Sequence, residues 1–192
     1  MNYSLVKQIC EYLVLNLSES CQRIEPAGSF RRKKADCGDL ELVCIPKPGA
    51  PRPDFGQKRI FTSYLDLALF HLECGERLGR RIKDGEKYKQ IIIRTESFGL
   101  VHLTEFKLDL FIVRPETWGV QFAIRTGPAE FSHRFVTRKN QGGLLPNHLK
   151  VEDGLLWDTQ TGSAFSTPTE FDFFKHIGLP WIEPEDRQSY LE

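Results

Sequence analysis

An acid–apolar–acid triplet at the start of an apolar run is the feature that most constrains this chain. The segment Asp39-Leu40-Glu41-Leu42-Val43 alternates as a β-strand does, with every second side chain facing the same side. The two acids then share one face, while Leu40 and Leu42 enter a core. Neighbouring carboxylates repel each other and are costly to bury unless they share a cation. The pattern therefore predicts a metal-binding strand.

A small Gly-Ser turn and a basic run precede that strand. Gly28 and Ser29 begin the turn eleven residues before Asp39, and the run Arg31-Arg32-Lys33-Lys34 adds positive charge. Glycine lets a ligand approach the backbone closely, and turn amides can donate to phosphate oxygens. Carboxylate oxygens are the ligands that suit hard ions such as Mg²⁺ or Mn²⁺. Metal ligands next to a phosphate-binding turn predict nucleotide chemistry.

A third carboxylate lies inside a second strand-like run, Lys107–Val113. Strands disfavour Asp, and a buried carboxylate needs a partner. Placed beside the first strand, Asp109 would complete a cluster of three acids able to hold two metal ions, which stabilise the attacking and the leaving oxygen of a phosphoryl displacement. Two other interpretations remain open. Asp39 and Glu41 could be surface acids of an edge strand, and Asp109 could be a core acid paired with Arg or Lys.

These motifs together resemble the DNA polymerase β family of nucleotidyltransferases, family X. The resemblance is carried by Gly28-Ser29-Phe30-Arg31-Arg32, Gly38-Asp39-Leu40-Glu41, Leu108-Asp109, Thr126-Gly127 and the C-terminal stretch 172–187. It covers most of residues 20–192, although residues 46–100 align only loosely. Because 27 residues precede Gly28, the resemblance implies a palm and a thumb without lyase or fingers modules, similar in extent to a small viral member of the family.

The resemblance implies a role for each matching residue. The catalytic residues, which are also the ligands of two Mg²⁺ or Mn²⁺ ions, would be Asp39, Glu41 and Asp109. The nucleotide-binding residues would be Gly28, Ser29, Arg32, Gly38, Arg125, Thr126 and Gly127. The contacts to nucleic acid would come from Lys107, Ser132, His133 and Arg134.

Several positions depart from the family pattern. Glu41 stands where these polymerases usually carry Asp, although the wider superfamily accepts either acid. Ile124 and Arg125 stand where they usually present aromatic side chains to the sugar of the nucleotide. We therefore expect weak discrimination between deoxyribonucleotides and ribonucleotides.

The sequence predicts an α+β fold, in which a palm with a mixed β-sheet backed by helices (1–117) is followed by a small α/β thumb subdomain (118–192). Helices are predicted at about 4–20, 59–76, 122–124, 128–140 and from a Thr167-Pro168 cap to His176. Strands are predicted at 23–28, 40–45, 89–95 and 105–113, with a hairpin at 149–157 around an Asp-Gly turn. The basic stretch 77–89 is interpreted as solvated surface or as a phosphate contact.

The expected function is metal-dependent transfer of a nucleotide from a nucleoside triphosphate to a DNA 3′-hydroxyl, in gap filling or repair. Two alternatives stay open: a template-independent or non-DNA nucleotidyltransferase that acts on RNA, protein or a small molecule, and an inactive nucleic-acid-binding scaffold. Lys and Arg total 26, as do Asp and Glu, and a net charge of zero argues against avid nonspecific binding to DNA.

The expected partners are a nucleoside triphosphate and a primer-template or gapped DNA. We expect a monomer, and a protein partner that supplies further contacts with DNA stays open as an alternative. The five cysteines are odd in number and lack metal-ligand spacing. Reduced thiols in an intracellular protein are therefore expected, cytoplasmic in a bacterial or phage context and with no membrane partner.

Overall fold

The computed structural model describes residues 1–50, 61–99 and 106–191, and the chain divides into two compact units. The first unit contains Met1–Pro26 and Ala35–Ile112, and the second contains Ala27–Lys34 and Val113–Glu192. These units are defined by packing within the chain. The division into a palm at 1–117 and a thumb at 118–192 stays a prediction about functional parts.

The regular elements are numbered along the chain. The helices are α1 Tyr3–Ser18, α2 Gly28–Arg31, α3 Tyr64–Cys74, α4 Trp118–Thr126, α5 Ala129–Val136 and α6 Glu170–Ile177. The strands are β1 Cys21–Pro26, β2 Leu40–Pro46, β3 Leu78–Asp84, β4 Tyr88–Ile93, β5 Phe106–Ile112, β6 Leu149–Glu152, β7 Leu155–Asp158 and β8 Ala164–Phe165. Short 3-10 turns cover Thr95–Phe98, Pro115–Thr117, Lys139–Gln141, Pro184–Arg187 and Ser189–Leu191. No helix in the described ranges has both the length and the apolar character of a membrane-spanning segment.

The first unit is built on a five-stranded sheet in the order β1-β2-β5-β4-β3. β2 and β5 run parallel, while the other neighbouring strands pair antiparallel. This is the mixed sheet with helices that the sequence predicts, and the predicted α+β class is confirmed. The opening helix is also confirmed, since α1 covers most of the predicted range. Asn2 caps it by accepting a hydrogen bond from the Leu5 amide at 3.1 Å.

The two faces of this sheet differ because one of them carries α3. Lys89 donates to Asp66 of α3 at 3.0 Å, so the Lys89 side chain lies on the α3 side. Lys89 is the register partner of Leu110 in β5, and partners in register point to the same side. Leu110 and Leu108 therefore face α3 and are fully buried, with no exposed surface. Asp109 between them faces the other side.

Several predicted elements differ from the structure. The basic stretch 77–89 contains a strand that the sequence did not predict, since β3 pairs with β4 through Leu78, Arg81, Lys83 and Asp84. Most residues of β3 are nevertheless exposed, in agreement with the interpretation of this stretch as solvated surface. α3 begins at Tyr64, where Ser63 caps it by accepting from the Asp66 amide at 3.0 Å, rather than at residue 59. Residues 51–60, which include the predicted start of that helix, lie outside the described residues.

The second unit has an apolar core between α4, α5, α6 and the three-stranded sheet β6-β7-β8. The buried residues are Val120, Ala123, Phe131, Phe135, Leu145, Leu149, Leu156, Phe173, Phe174, Ile177 and Ile182. The predicted hairpin is confirmed, since Asp153 and Gly154 both have positive φ, at 52° and 79°, as a tight type I′ turn requires. α4 is longer than predicted, and α5 begins after Pro128 and ends at Val136.

The predicted N-terminus of α6 is wrong by two residues. Thr169 caps the helix, accepting from the Asp172 amide at 3.1 Å, while Asp172 accepts from the Thr169 amide at 2.9 Å. Thr167 cannot take that position because its amide donates to the Glu116 carbonyl at 2.9 Å and its own carbonyl accepts from Gly119 at 2.7 Å. The predicted end of the helix is confirmed, with Gly178 in the left-handed region at φ 71°.

Candidate active site

Two of the three predicted carboxylates lie side by side in the middle of the first unit's sheet. Glu41 of β2 is the register partner of Asp109 of β5, and Asp39 stands one residue before β2 begins. Both strand acids are half-buried between fully buried leucines. Because β2 lies between β1 and β5, the alternative that these acids belong to an edge strand is wrong for Glu41.

Asp109 is held by two neutral side chains of β4. The Tyr88 hydroxyl and the Gln90 amide each donate to Asp109 Oδ1, at 2.8 Å in both cases. The Tyr88 ring stacks on Phe111, with centroids 5.0 Å apart and an interplanar angle of 21°. The alternative of a core acid paired with Arg or Lys is therefore not what the structure shows, because the described partners of Asp109 are both uncharged.

The chemistry of these donors fits a hard divalent cation. All three predicted ligands offer only carboxylate oxygens, as Mg²⁺ and Mn²⁺ prefer. Within the described residues both hydrogen bonds go to Oδ1 of Asp109, and Oδ2 accepts none. In the same described ranges, no three His, Cys, Asp or Glu side chains form a grouping that could hold a metal ion. The ligand set Asp39, Glu41 and Asp109 stays a prediction.

Gly38, which precedes the carboxylate strand, has no packing reason to be glycine. A Cβ built at this position meets nothing within 4 Å, and the residue is exposed. A glycine that packing does not require is consistent with a position that a ligand approaches closely. Its predicted contact with phosphate stays a prediction.

The predicted phosphate turn in the second unit contains an unsatisfied hydroxyl. Gly28 has φ 61°, in the left-handed region, and starts the single-turn helix α2. Ser29 Oγ in this helix is buried and has no hydrogen-bond partner in the part of the chain that the structure describes. An unpaired buried hydroxyl costs about 1–3 kcal/mol, so a ligand oxygen that accepted its proton would recover that cost.

The two arginines of the turn bind the predicted nucleotide turn at Thr126. Arg31 Nη1 donates to Thr126 Oγ1 at 2.6 Å, and Arg32 Nη1 donates to the Thr126 carbonyl at 2.7 Å. Arg31 also lies over the Phe122 ring, 3.9 Å from its centroid. A guanidinium carries five N–H donors, so the bond to Thr126 and a phosphate contact by Arg32 are compatible.

A buried ion network behind this turn is the main feature that the sequence did not predict. Glu170 accepts from Arg31 Nη2 at 2.8 Å and from Arg187 Nη1 at 2.7 Å. Arg187 is fully buried, Glu170 is 5% exposed, and burial lowers the pKa of the Arg187 guanidinium while Glu170 opposes that change. The C-terminal residues 172–187 carried the family resemblance, but nothing in the sequence links Arg187 to Glu170.

The remaining predicted residues have mixed surroundings. Ser132 Oγ donates to the Ile124 carbonyl at 2.5 Å, at the end of α4, and a Cβ on Gly127 would lie 2.7 Å from that same Ser132 oxygen. Arg134 pairs with Glu130 at 3.0 Å on the surface of α5. The other three sit on accessible or half-buried surface: His133 is exposed, and Lys107 and Arg125 are half-buried.

Comparison with known proteins identifies relatives of this chain. Residues 125–188 match the profile of the family described as DNA polymerase beta thumb. DNA polymerase lambda of Rattus norvegicus is 28% identical over 167 residues, which cover 83% of this chain and 28% of that polymerase. The chain thus spans little more than a quarter of this relative. The predicted resemblance is confirmed: the chain carries a DNA polymerase β thumb region and is distantly related to a family X DNA polymerase.

Proposed function

We propose that this chain is a metal-dependent nucleotidyltransferase that adds a nucleotide to a DNA 3′-hydroxyl, in gap filling or repair. The observation that carries the proposal is the register pairing of Glu41 with Asp109 on the two parallel strands, on the sheet face away from α3. Such a pair of carboxylates, with Asp39 at the start of β2, is a site for hard cations. The relationship to a family X polymerase supports the same reaction class.

The carboxylates have distinct roles in this proposal. Asp39 and Glu41 would be shared between two Mg²⁺ or Mn²⁺ ions, and Asp109 would bind the cation nearer the primer 3′-hydroxyl. When bound, the cations favour the deprotonated hydroxyl and offset the charge that develops on the leaving pyrophosphate. Asp109 would keep Oδ2 for this purpose, since its hydrogen bonds from Tyr88 and Gln90 both go to Oδ1.

The nucleotide would be bound through its phosphates by the residues of the Gly-Ser turn. The buried Ser29 hydroxyl lacks a hydrogen-bond partner among the described residues, and it would donate to a phosphate oxygen. Arg32 would add positive charge, and the Gly38 amide a further donor. The residues that would lie beside the base and sugar are Arg125, Thr126 and Gly127.

A second candidate function is transfer to an acceptor other than duplex DNA. Two of the four predicted nucleic-acid contacts already have partners within the second unit, because Ser132 binds the Ile124 carbonyl and Arg134 pairs with Glu130. The net charge of zero also gives little nonspecific attraction for a phosphate backbone. These observations favour a single-stranded, RNA or small-molecule acceptor as the alternative.

Primer extension on gapped DNA tests the proposal. The native protein, given Mg²⁺ or Mn²⁺ and each deoxyribonucleotide or ribonucleotide, should extend the primer by templated addition. Asp109→Asn should lower the rate by at least about 100-fold, since even residues that only support metal ligands contribute 10- to 100-fold. Asp153→Asn in the exposed hairpin turn is the matched control and should keep the native rate.

The outcomes separate the two candidates. Addition to single-stranded DNA or RNA without a template, and none on gapped DNA, would favour the second candidate. An Asp109→Asn variant that extends gapped DNA at the native rate would contradict both, because each requires this carboxylate.

A further inference from the structure

A row of polar side chains crosses four strands of the first unit's sheet. In register order, Glu41 of β2 pairs with Asp109 of β5, Asp109 pairs with Gln90 of β4, and Gln90 pairs with Lys83 of β3. Side chains in register point to the same side of a sheet, so this row lies on the face away from α3. The row brings a neutral amide directly against the carboxylate of Asp109.

The two donors to Asp109 are themselves held in place. Gln90 is directly opposite Asp109 on the neighbouring strand, and its Nε2 lies 2.8 Å from Oδ1. Tyr88 lies opposite Phe111, against which its ring stacks, and Lys83 Nζ lies 5.3 Å from the centre of the Tyr88 ring. The Tyr88 hydroxyl therefore reaches Asp109 from a ring with little freedom to rotate away.

We propose that Tyr88 and Gln90 are positioning residues for Asp109, a role that rests on the proposed function. Two donors on one oxygen fix the rotation of the carboxylate and direct Oδ2 away from β4. Both donors are neutral, so they orient the carboxylate without placing a positive charge where a cation must bind. An Arg or Lys in the same place would orient the carboxylate equally well but would repel that cation.

The substitutions Tyr88→Phe and Gln90→Met test this role because each removes a donor and keeps the shape of the side chain. Mn²⁺ binding is measured by electron paramagnetic resonance without nucleotide, and the kcat for nucleotide addition is measured against Mn²⁺ concentration. Each variant should need about 10- to 100-fold more Mn²⁺ for half-saturation, as expected for residues that support a metal ligand. Saturating Mn²⁺ should restore kcat, and the nucleotide KM should stay unchanged.

Matched controls are Tyr64→Phe and Gln160→Met, whose side chains are exposed. Both should show the native Mn²⁺ dependence. A lower kcat that high Mn²⁺ does not restore, with native Mn²⁺ affinity, would mean that Tyr88 and Gln90 only support the fold and would overturn the inference.

The same measurements separate this inference from the proposed function. Unchanged Mn²⁺ dependence in both variants, with normal nucleotide transfer by the native protein, overturns the positioning role alone. Native protein that transfers no nucleotide but binds Mn²⁺ through Asp109 overturns the proposed function, and the Mn²⁺ affinity of the two variants then decides the positioning role. Native protein with no Mn²⁺ binding that depends on Asp109 overturns both.

Discussion

Replacement of Glu170 by Gln should strongly destabilise the second unit. Glu170 is 5% exposed and accepts from two arginines, Arg31 at 2.8 Å and Arg187 at 2.7 Å. Gln presents one acceptor oxygen and one donor amide. One of the two guanidinium groups would therefore face a donor, and the fully buried Arg187 would lose the carboxylate with which it shares a hydrogen bond.

The size of the effect follows from how deeply each charge is buried. Removing one partner of a buried ion pair costs about 3–5 kcal/mol, because the other charge stays buried without compensation. The Arg187 side chain has no exposed surface, so the full range applies to it, whereas the Arg31 side chain is 20% exposed and adds less. For a chain of this length, about 3–5 kcal/mol lowers Tm by roughly 6–20 °C.

Tryptophan fluorescence during thermal and urea unfolding measures this effect in the relevant unit. All three tryptophans of the chain, Trp118, Trp157 and Trp181, lie in the second unit. Glu130→Gln is the control, since it removes the charge from an exposed i,i+4 pair with Arg134 and should cost only about 0.3–0.5 kcal/mol. In an Arg187→Met background, the added cost of Glu170→Gln should fall, because the buried cation is gone.

Two results would refute this reasoning. A Glu170→Gln variant within about 1 kcal/mol of the native stability would show that the network contributes little. Such a small change is typical of surface substitutions rather than of buried charges. An equal cost of Glu170→Gln in the native and the Arg187→Met backgrounds would show that the two side chains are not coupled.

Three further perturbations have defined outcomes. Gly127→Ala should lower the free energy of unfolding by about 1–3 kcal/mol, because its Cβ would lie 2.7 Å from Ser132 Oγ, whereas Gly38→Ala should leave it unchanged, and urea unfolding compares the two. Burial, with a smaller contribution from Glu11, raises the pKa of Cys10 from 9.0 to about 12, so the folded state keeps a neutral thiol that the unfolded chain ionises. The contribution of this thiol to the free energy of unfolding should therefore be complete below pH 9.0 and fall by about 1.4 kcal/mol per pH unit above it. Cys10→Ala should remove this part of the pH dependence, which urea unfolding midpoints measured across the range would show. Lys89→Met should cost about 1–3 kcal/mol in thermal unfolding, since Lys89 Nζ lies 2.6 Å from Asp84 and 3.0 Å from Asp66, with Lys7→Met in the exposed pair with Glu11 as control.

Periodicity in the sequence was sufficient to predict the elements whose apolar pattern is simple. α1, β2 and β5 each carry apolar residues at regular spacing, and the Asp-Gly turn of the β6–β7 hairpin has a local conformational requirement that only a few residues meet. β3 was not predicted, because Arg81 is charged and a sequence pattern does not identify such a residue as part of a core. In the structure Arg81 is half-buried against acids of α3. Its burial depends on partners distant in sequence, Glu73 and Asp66.

For the candidate site, the sequence was sufficient to predict the acids but not their partners. The alternation around Asp39 and Glu41 and the isolated Asp109 identify the acids, and strand pairing then brings Glu41 opposite Asp109. The partners of Asp109 were not predictable, because Tyr88 and Gln90 reach it only through the register of β4 on β5. The contacts of Arg31 with Thr126 and Glu170 join residues 95 and 139 positions apart, and no local pattern signals such pairs.

The residues of the Gly-Ser turn differ in how cleanly they can be tested. Arg31 and Arg32 bind Thr126, so their substitution would remove structural bonds together with any phosphate contact. Ser29 Oγ is buried without a partner among the described residues, so Ser29→Ala removes no described bond of this hydroxyl. The native stability should therefore be kept or slightly raised, because a buried unpaired hydroxyl is itself unfavourable.

Ser29→Ala should consequently separate nucleotide binding from folding. If the hydroxyl donates to a charged phosphate oxygen, its loss costs about 1.5–3 kcal/mol, which is roughly 10- to 100-fold in kcat/KM for the nucleoside triphosphate. The measurement pairs steady-state primer extension with urea unfolding, and the Kd for primed DNA should not change. A fall in stability with native kcat/KM would mean that Ser29 serves the fold of the turn, and the assignment of its hydroxyl to phosphate would then be wrong.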